Sequence, residues 1–170
     1  MKRLTILRHA KSSWGNPDAD DFDRPLNGRG WKAARQIGRE LKKKDFRFDL
    51  VLASRATRVR ETIEAVGEQF DLPAPVQFEQ GMYLASCASL LSFVQEMPEN
   101  VGRPLLIGHN PGLQQLLLKL TCGGHPLRER IRDGYPTAAV AVVDLAVETW
   151  REVESGCGEP VELILPRELG

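Results

Sequence analysis

Strand-like and helix-like segments alternate along this chain from its first residues, and that alternation restricts its fold more than any other feature. RLTIL is a short β-branched run, and GWKAARQIGRELKKK then sets Ala34, Ile37 and Leu41 on one helical face. DLVLAS reads as a second strand. In ATRVRETIEAVGEQF, Val59, Ile63, Val66 and Phe70 recur with the period of an amphipathic helix. PVQFE followed by SLLSFVQEM, and RPLLIGH followed by NPGLQQLLLKL, repeat the pair. Asn110 stands where it can cap the last helix, and Pro111 suits its first turn. AAVAVVDL and VELIL close the chain with too little between them for a crossover helix, so they are expected to pair antiparallel. His125 lies between Gly124 and Pro126 and reads as loop, with no chemistry assigned. The expectation is an α/β, three-layer sandwich, with a mostly parallel sheet, helices on both faces and an antiparallel strand near the C-terminus. No repeat or linker divides the sequence, so residues 1–170 read as one domain.

Composition removes several classes of function. Lys+Arg and Asp+Glu are equal at 23 each, which leaves no overall field to draw in nucleic acid or an anionic membrane. Any anion must be held by a local cluster. Cys87, Cys122 and Cys157 are odd in number and widely spaced, and they fit neither a disulfide framework nor a zinc site. The apolar stretch near the N-terminus is too short for a signal peptide, and no segment approaches the ~18 apolar residues of a membrane helix. A cytoplasmic, reducing setting is expected.

In open α/β sheets, ligands bind beyond the carboxyl ends of the strands. The first strand ends at Arg8-His9, the second at Ser54 with Arg58 a helical turn later, the third at Glu79 and the fourth at Gly108-His109-Asn110. Two of the three histidines and two arginines are thus expected at one crevice. Like-charged groups gathered there repel unless an anion resolves the repulsion. Arginine's planar fork matches phosphate oxygens, and phosphoryl transfer depends mainly on positioning and on stabilising equatorial charge. Arg8, Arg58 and His109 suit that stabilisation. Histidine is a competent nucleophile, and flanking guanidiniums keep its ring neutral near pH 7, so His9 is placed to attack phosphorus. A metal site is the rival use of His9 and His109, but a third ligand is missing and the arginines would repel a cation.

The same residues resemble a known family. LRHAKSSW is similar to the opening motif of the histidine phosphatase superfamily, the RHG motif, in which an Arg-His pair precedes Gly or Ala. Asp23-Arg24-Pro25-Leu26 with Gly30 and Ala34 resembles a second family segment. Ser54, Ala56, Arg58 and Thr62 of LASRATRVRET match a third, and IGHNPG resembles the second-histidine motif. The likeness runs from Leu4 to about Leu165, is phosphoglycerate-mutase-like in fold, and is nearest to the small SixA-like phosphohistidine phosphatases. Arg55 stands where relatives usually have Pro, Glu61 where many have Gln, and Gly15 where many have a pocket Asn.

The resemblance implies that His9 becomes transiently phosphorylated in a pocket formed by Arg8, Arg58 and His109, with Ser12 and Trp14 at its rim. It implies no cofactor and no metal. Relatives commonly use a carboxylate beyond the third strand as general acid, for which Glu79 is the nearest match; Asp18, Asp20 and Asp21 lie on the loop after His9. The reading is a metal-independent phosphatase acting on phosphohistidine of a partner protein, with no nucleic-acid or membrane partner, as a monomer. Two alternatives remain open: a phosphatase of small phosphate esters, and a phosphoprotein-binding module without catalysis. The short connection between Glu79 and Arg103 argues against a mutase, whose relatives carry inserted segments over the site.

Overall fold

Leu4 and Ile6 face one side of the first strand and Leu7 the other, and both sides are buried. A strand apolar on both faces belongs in the middle of a covered sheet. The computed structural model, which describes residues 1–170, has that strand near the centre of a six-stranded sheet. The strands are β1 (Lys2–Arg8), β2 (Leu50–Ser54), β3 (Gln77–Glu79), β4 (Pro104–Gly108), β5 (Val140–Leu145) and β6 (Gly158–Ile164). They lie in the order β3-β2-β4-β1-β5-β6. β1 through β4 run parallel, β5 pairs antiparallel with β1, and β6 pairs antiparallel with β5. The expected α/β sandwich with its antiparallel C-terminal pair is the observed architecture.

Five helices cover the sheet: α1 (Gly28–Lys43), α2 (Thr57–Gly67), α3 (Cys87–Gln95), α4 (Gly112–Leu120) and α5 (Pro126–Asp133). Ala34, Ile37 and Leu41 of α1 and Val59 and Val66 of α2 pack with Leu7, Ala53 and Ile107 on one face. Leu90, Val94, Leu113, Leu117 and Ile131 of the other three helices pack with Ile6, Leu52 and Leu106 on the opposite face. No helix is long and apolar enough to cross a membrane.

His125 lies outside any helix or strand, as expected, but α5 begins at the next residue, in a stretch to which the sequence reading assigns no element. Beyond Pro126 its eight residues include only Leu127 and Ile131 as apolar side chains, too few to show a period, and His125 caps it by accepting from Leu127 N at 3.2 Å. Cys87, Cys122 and Cys157 are free thiols.

The arrangement of β1 and β4 positions the site. They are parallel neighbours, with Arg8 opposite Gly108, yet the helices that follow them, α1 and α4, lie on opposite faces. The chain therefore diverges just beyond Arg8 and Gly108, which opens a crevice at the topological switch point.

Candidate active site

His9 and His109 follow these two strand ends, and their ring centroids lie 5.2 Å apart. His9 is buried, and its Nδ1 sits 2.7 Å from the Ala10 carbonyl oxygen. A carbonyl can only accept, so Nδ1 carries the ring proton and Nε2 keeps its lone pair. Ala10 N donates to Thr62 Oγ1 at 2.9 Å, and Thr62 Oγ1 donates to Arg58 O at 2.7 Å, which ties the His9 segment to the first turns of α2. Burial, followed by the charges of Arg58, Arg8 and Arg24, lowers the His9 pKa to about 4. The ring is neutral at pH 7, as a nitrogen nucleophile requires.

The ring of His109 is fixed differently. Its Nε2 lies 2.8 Å from Ser54 Oγ; that hydroxyl is fully buried, accepts from Ala56 N at 3.2 Å and has His109 Nε2 as the one acceptor for its own proton, so it donates to the histidine. His109 Nδ1 then holds the ring hydrogen, and it is buried with no partner. Burial first, then His9 and Arg58, lower its pKa to about 3.

The arginines surround the two rings. Arg8 Nη1 donates to Tyr135 O at 3.0 Å, and Asn110 Nδ2 donates to the same oxygen at 2.9 Å. Tyr135 is itself anchored through its hydroxyl to Ile6 O at 2.6 Å. Arg58 is buried and donates from Nη1 to Asp21 O at 2.6 Å and from Nη2 to Asp21 Oδ2 at 3.0 Å. The Nε atoms of Arg8 and Arg58 are buried without partners. Buried donors left unmade cost about 1–3 kcal/mol each, so three of them beside one cleft favour a ligand rich in acceptor oxygens.

Arg8, His9, Ser12, Arg58 and His109, all expected at the site, line one open cleft of about 410 Å³. Ser12 accepts from Arg24 Nη1 at 2.7 Å, so it holds a third arginine in place. Glu79 is the exception. It ends β3, the outermost strand, with β2 and β4 between it and β1, and it borders a separate cavity with Leu52, Phe93 and Met97. Its carboxylate accepts from Gln77 Nε2 at 3.0 Å. The expectation that Glu79 is the acid is therefore corrected: Asp21 is the carboxylate that lines the cleft.

Asp21 accepts from Tyr83 Oη and Arg58 on Oδ2 and from Arg24 Nε on Oδ1 at 3.1 Å. Partial burial would raise its pKa, but the donated bonds from Tyr83, Arg58 and Arg24 prevail and hold it at about 2. Tyr83 also meets the His109 ring edge to face at 5.5 Å. Sequence reasoning missed the parts played by Arg24, Tyr83 and Tyr135. Arg24 stands inside the matched D-R-P-L segment, so its signal was present; the two tyrosines sit in irregular segments that carry no pattern. Glu61, one of the departures from the family, accepts from Leu26 N at 2.8 Å and so fixes the loop that carries Arg24.

Residues 4–82 match the family model for the histidine phosphatase superfamily, branch 1. An uncharacterised protein of Mycobacterium tuberculosis is 33% identical over 164 residues, which cover 95% of this chain and all of that one. A crystal structure from Agrobacterium tumefaciens, assigned as a phosphohistidine phosphatase SixA, is 30% identical with a TM-score of 0.82, over 97% of this chain and 98% of its own. The protein histidine phosphatase SixA, solved with tungstate, is 25% identical with a TM-score of 0.82 over 99% of both chains. The chain belongs to the histidine phosphatase superfamily. Within it the likeness is to the SixA proteins, which makes this a phosphatase of the histidine type.

Proposed function

We propose that the protein is a metal-independent phosphatase that removes phosphate from phosphohistidine on a partner protein, through a phosphohistidine formed on His9. The observation that carries this reading is a buried His9 with Nδ1 tied to a backbone carbonyl, among arginine side chains in an open cleft. In the first step His9 Nε2 attacks phosphorus, an N–P bond forms, and the bond from phosphorus to the leaving group breaks. Arg8, Arg58 and His109 stabilise the equatorial oxygens. Asp21 gives the leaving group its proton: a phosphoryl dianion that shares Arg58 with this carboxylate raises its pKa from about 2. In the second step water attacks phosphorus and gives a proton to Asp21, an O–P bond forms, the N–P bond breaks, and inorganic phosphate leaves with His9 and Asp21 restored.

Two features support the substrate. The cleft is open rather than enclosing, so it admits a side chain still attached to a protein. Imidazole is also a better leaving group than an alkoxide and asks less of Asp21. The SixA protein histidine phosphatase and its tungstate complex point the same way. Three arginines around His9 and His109 favour an anion over a cation, which supports metal independence.

The test is kcat/KM for a phosphohistidine-bearing domain beside a panel of phosphate esters, with and without EDTA. Preference for the domain, unchanged by chelator, is expected. A sugar or glycerate phosphate ahead by about tenfold, or loss of activity in EDTA restored by zinc or magnesium, contradicts it.

A further inference from the structure

Between β3 and α3 the chain makes a tight turn over Met82–Ala85. Ala85 N donates to Met82 O at 3.3 Å, Tyr83 has φ −64° and ψ 116°, and Leu84 has φ 49°. This is the type II pattern, whose third residue is ordinarily glycine because φ is positive there. Leucine at this position strains the backbone. Its side chain is also 53% exposed and belongs to neither core cluster. Leu84 thus carries two penalties and repays neither by packing.

Its position explains the choice. The turn is held from behind by α4, where a Cβ on Gly112 would come within 2.1 Å of Ala85 O, so nothing larger than glycine fits between them. Tyr83 points down to Asp21 and His109, and Leu84 lines the mouth of the same cleft. Trp14 also lines the mouth. It is 77% exposed, although the Arg24 guanidinium stacks 3.5 Å from its ring centre. Lys11, also exposed, adds a positive charge there.

We propose that Leu84 and Trp14 form a docking rim for the folded surface of the phosphorylated protein, taking apolar side chains that flank its phosphohistidine. The proposal rests on the protein-phosphohistidine reading above. An imidazole with its phosphoryl group reaches His9 without needing an exposed leucine at the rim, whereas a protein surface brought over the cleft covers both residues. A strained, pinned turn offers that contact with little entropy left to lose.

The test compares wild type, Leu84→Gly and Leu84→Met on two substrates with the same leaving group: free phosphohistidine, and a purified phosphohistidine domain charged with phosphoramidate. Glycine suits the turn, so Leu84→Gly should melt at an equal or higher temperature than wild type. Its kcat/KM on the domain should fall roughly tenfold, while its kcat/KM on free phosphohistidine stays within about twofold; Leu84→Met should restore most of the loss. Leu84→Gly at wild-type rate on the domain, or slowed equally on both substrates, overturns the docking rim. A wild type that hydrolyses phosphate esters but not the domain overturns the protein-substrate reading, and the docking rim with it.

Discussion

Asp21 and Glu79 differ less in chemistry than in address. Each is a carboxylate near a strand or loop end, but Asp21 shares its oxygens among Arg58, Arg24 and Tyr83, whereas Glu79 meets only Gln77. Glu79→Gln should therefore leave kcat/KM within about twofold on every substrate, and a loss beyond tenfold would return it to the reaction. Asp21→Asn removes a negative charge from the guanidinium that must receive phosphate. Inorganic phosphate should then inhibit about tenfold more tightly, and alkyl ester turnover should slow more than phosphohistidine turnover. Weaker phosphate binding in that variant would mean Asp21 organises Arg58 rather than competing for it. Arg58→Ala should reduce kcat/KM by several kcal/mol of transition-state stabilisation, and retention within twofold would place its charge outside the reaction.

At the scale of elements, the loop after β1 is held against α1 by close contact. A Cβ on Gly30 would lie 2.1 Å from Lys11 O, so Gly30→Ala must displace the segment that follows His9 and Ala10. A loss on the order of 2–4 kcal/mol in stability with a parallel fall in kcat is expected; an unchanged melting curve would contradict the contact. Apolar periods in the sequence were enough to reveal α1 to α4 and the six strands, and with them His9, His109, Arg8 and Arg58 at strand ends or one turn beyond. The order of strands was not legible, because alternation says which segments are strands and not which lie side by side. That gap is why Glu79 was expected at the crevice: every strand end looked equivalent until β3 proved to be the edge. Tyr83 and Tyr135 reach the site from turns, where hydrogen bonding, not periodicity, decides direction.

For the whole molecule, burying two neutral histidines makes folding depend on pH. His9 and His109 have folded-state values of about 4 and 3, below the ordinary 6.5. The unfolded chain therefore takes up protons first as pH drops. Stability is full above about pH 7, declines through 6.5 and levels off only below the folded values. His9 alone contributes on the order of 3 kcal/mol to this loss by pH 4. Melting temperature should fall by on the order of 10 °C between pH 7 and pH 5, and His9→Asn should flatten the decline; a flat wild-type curve would mean that these rings are protonated in the folded protein. Activity follows from the same state, since a neutral His9 is ready to be phosphorylated. Intact-mass analysis after rapid quench at neutral pH, with the modified residue mapped by fragmentation, tests this most directly. The account predicts one acid-labile phosphoryl group per chain, on His9, and none in His9→Ala. Phosphate on another residue, or a His9→Ala chain labelled as fully as wild type, would contradict it.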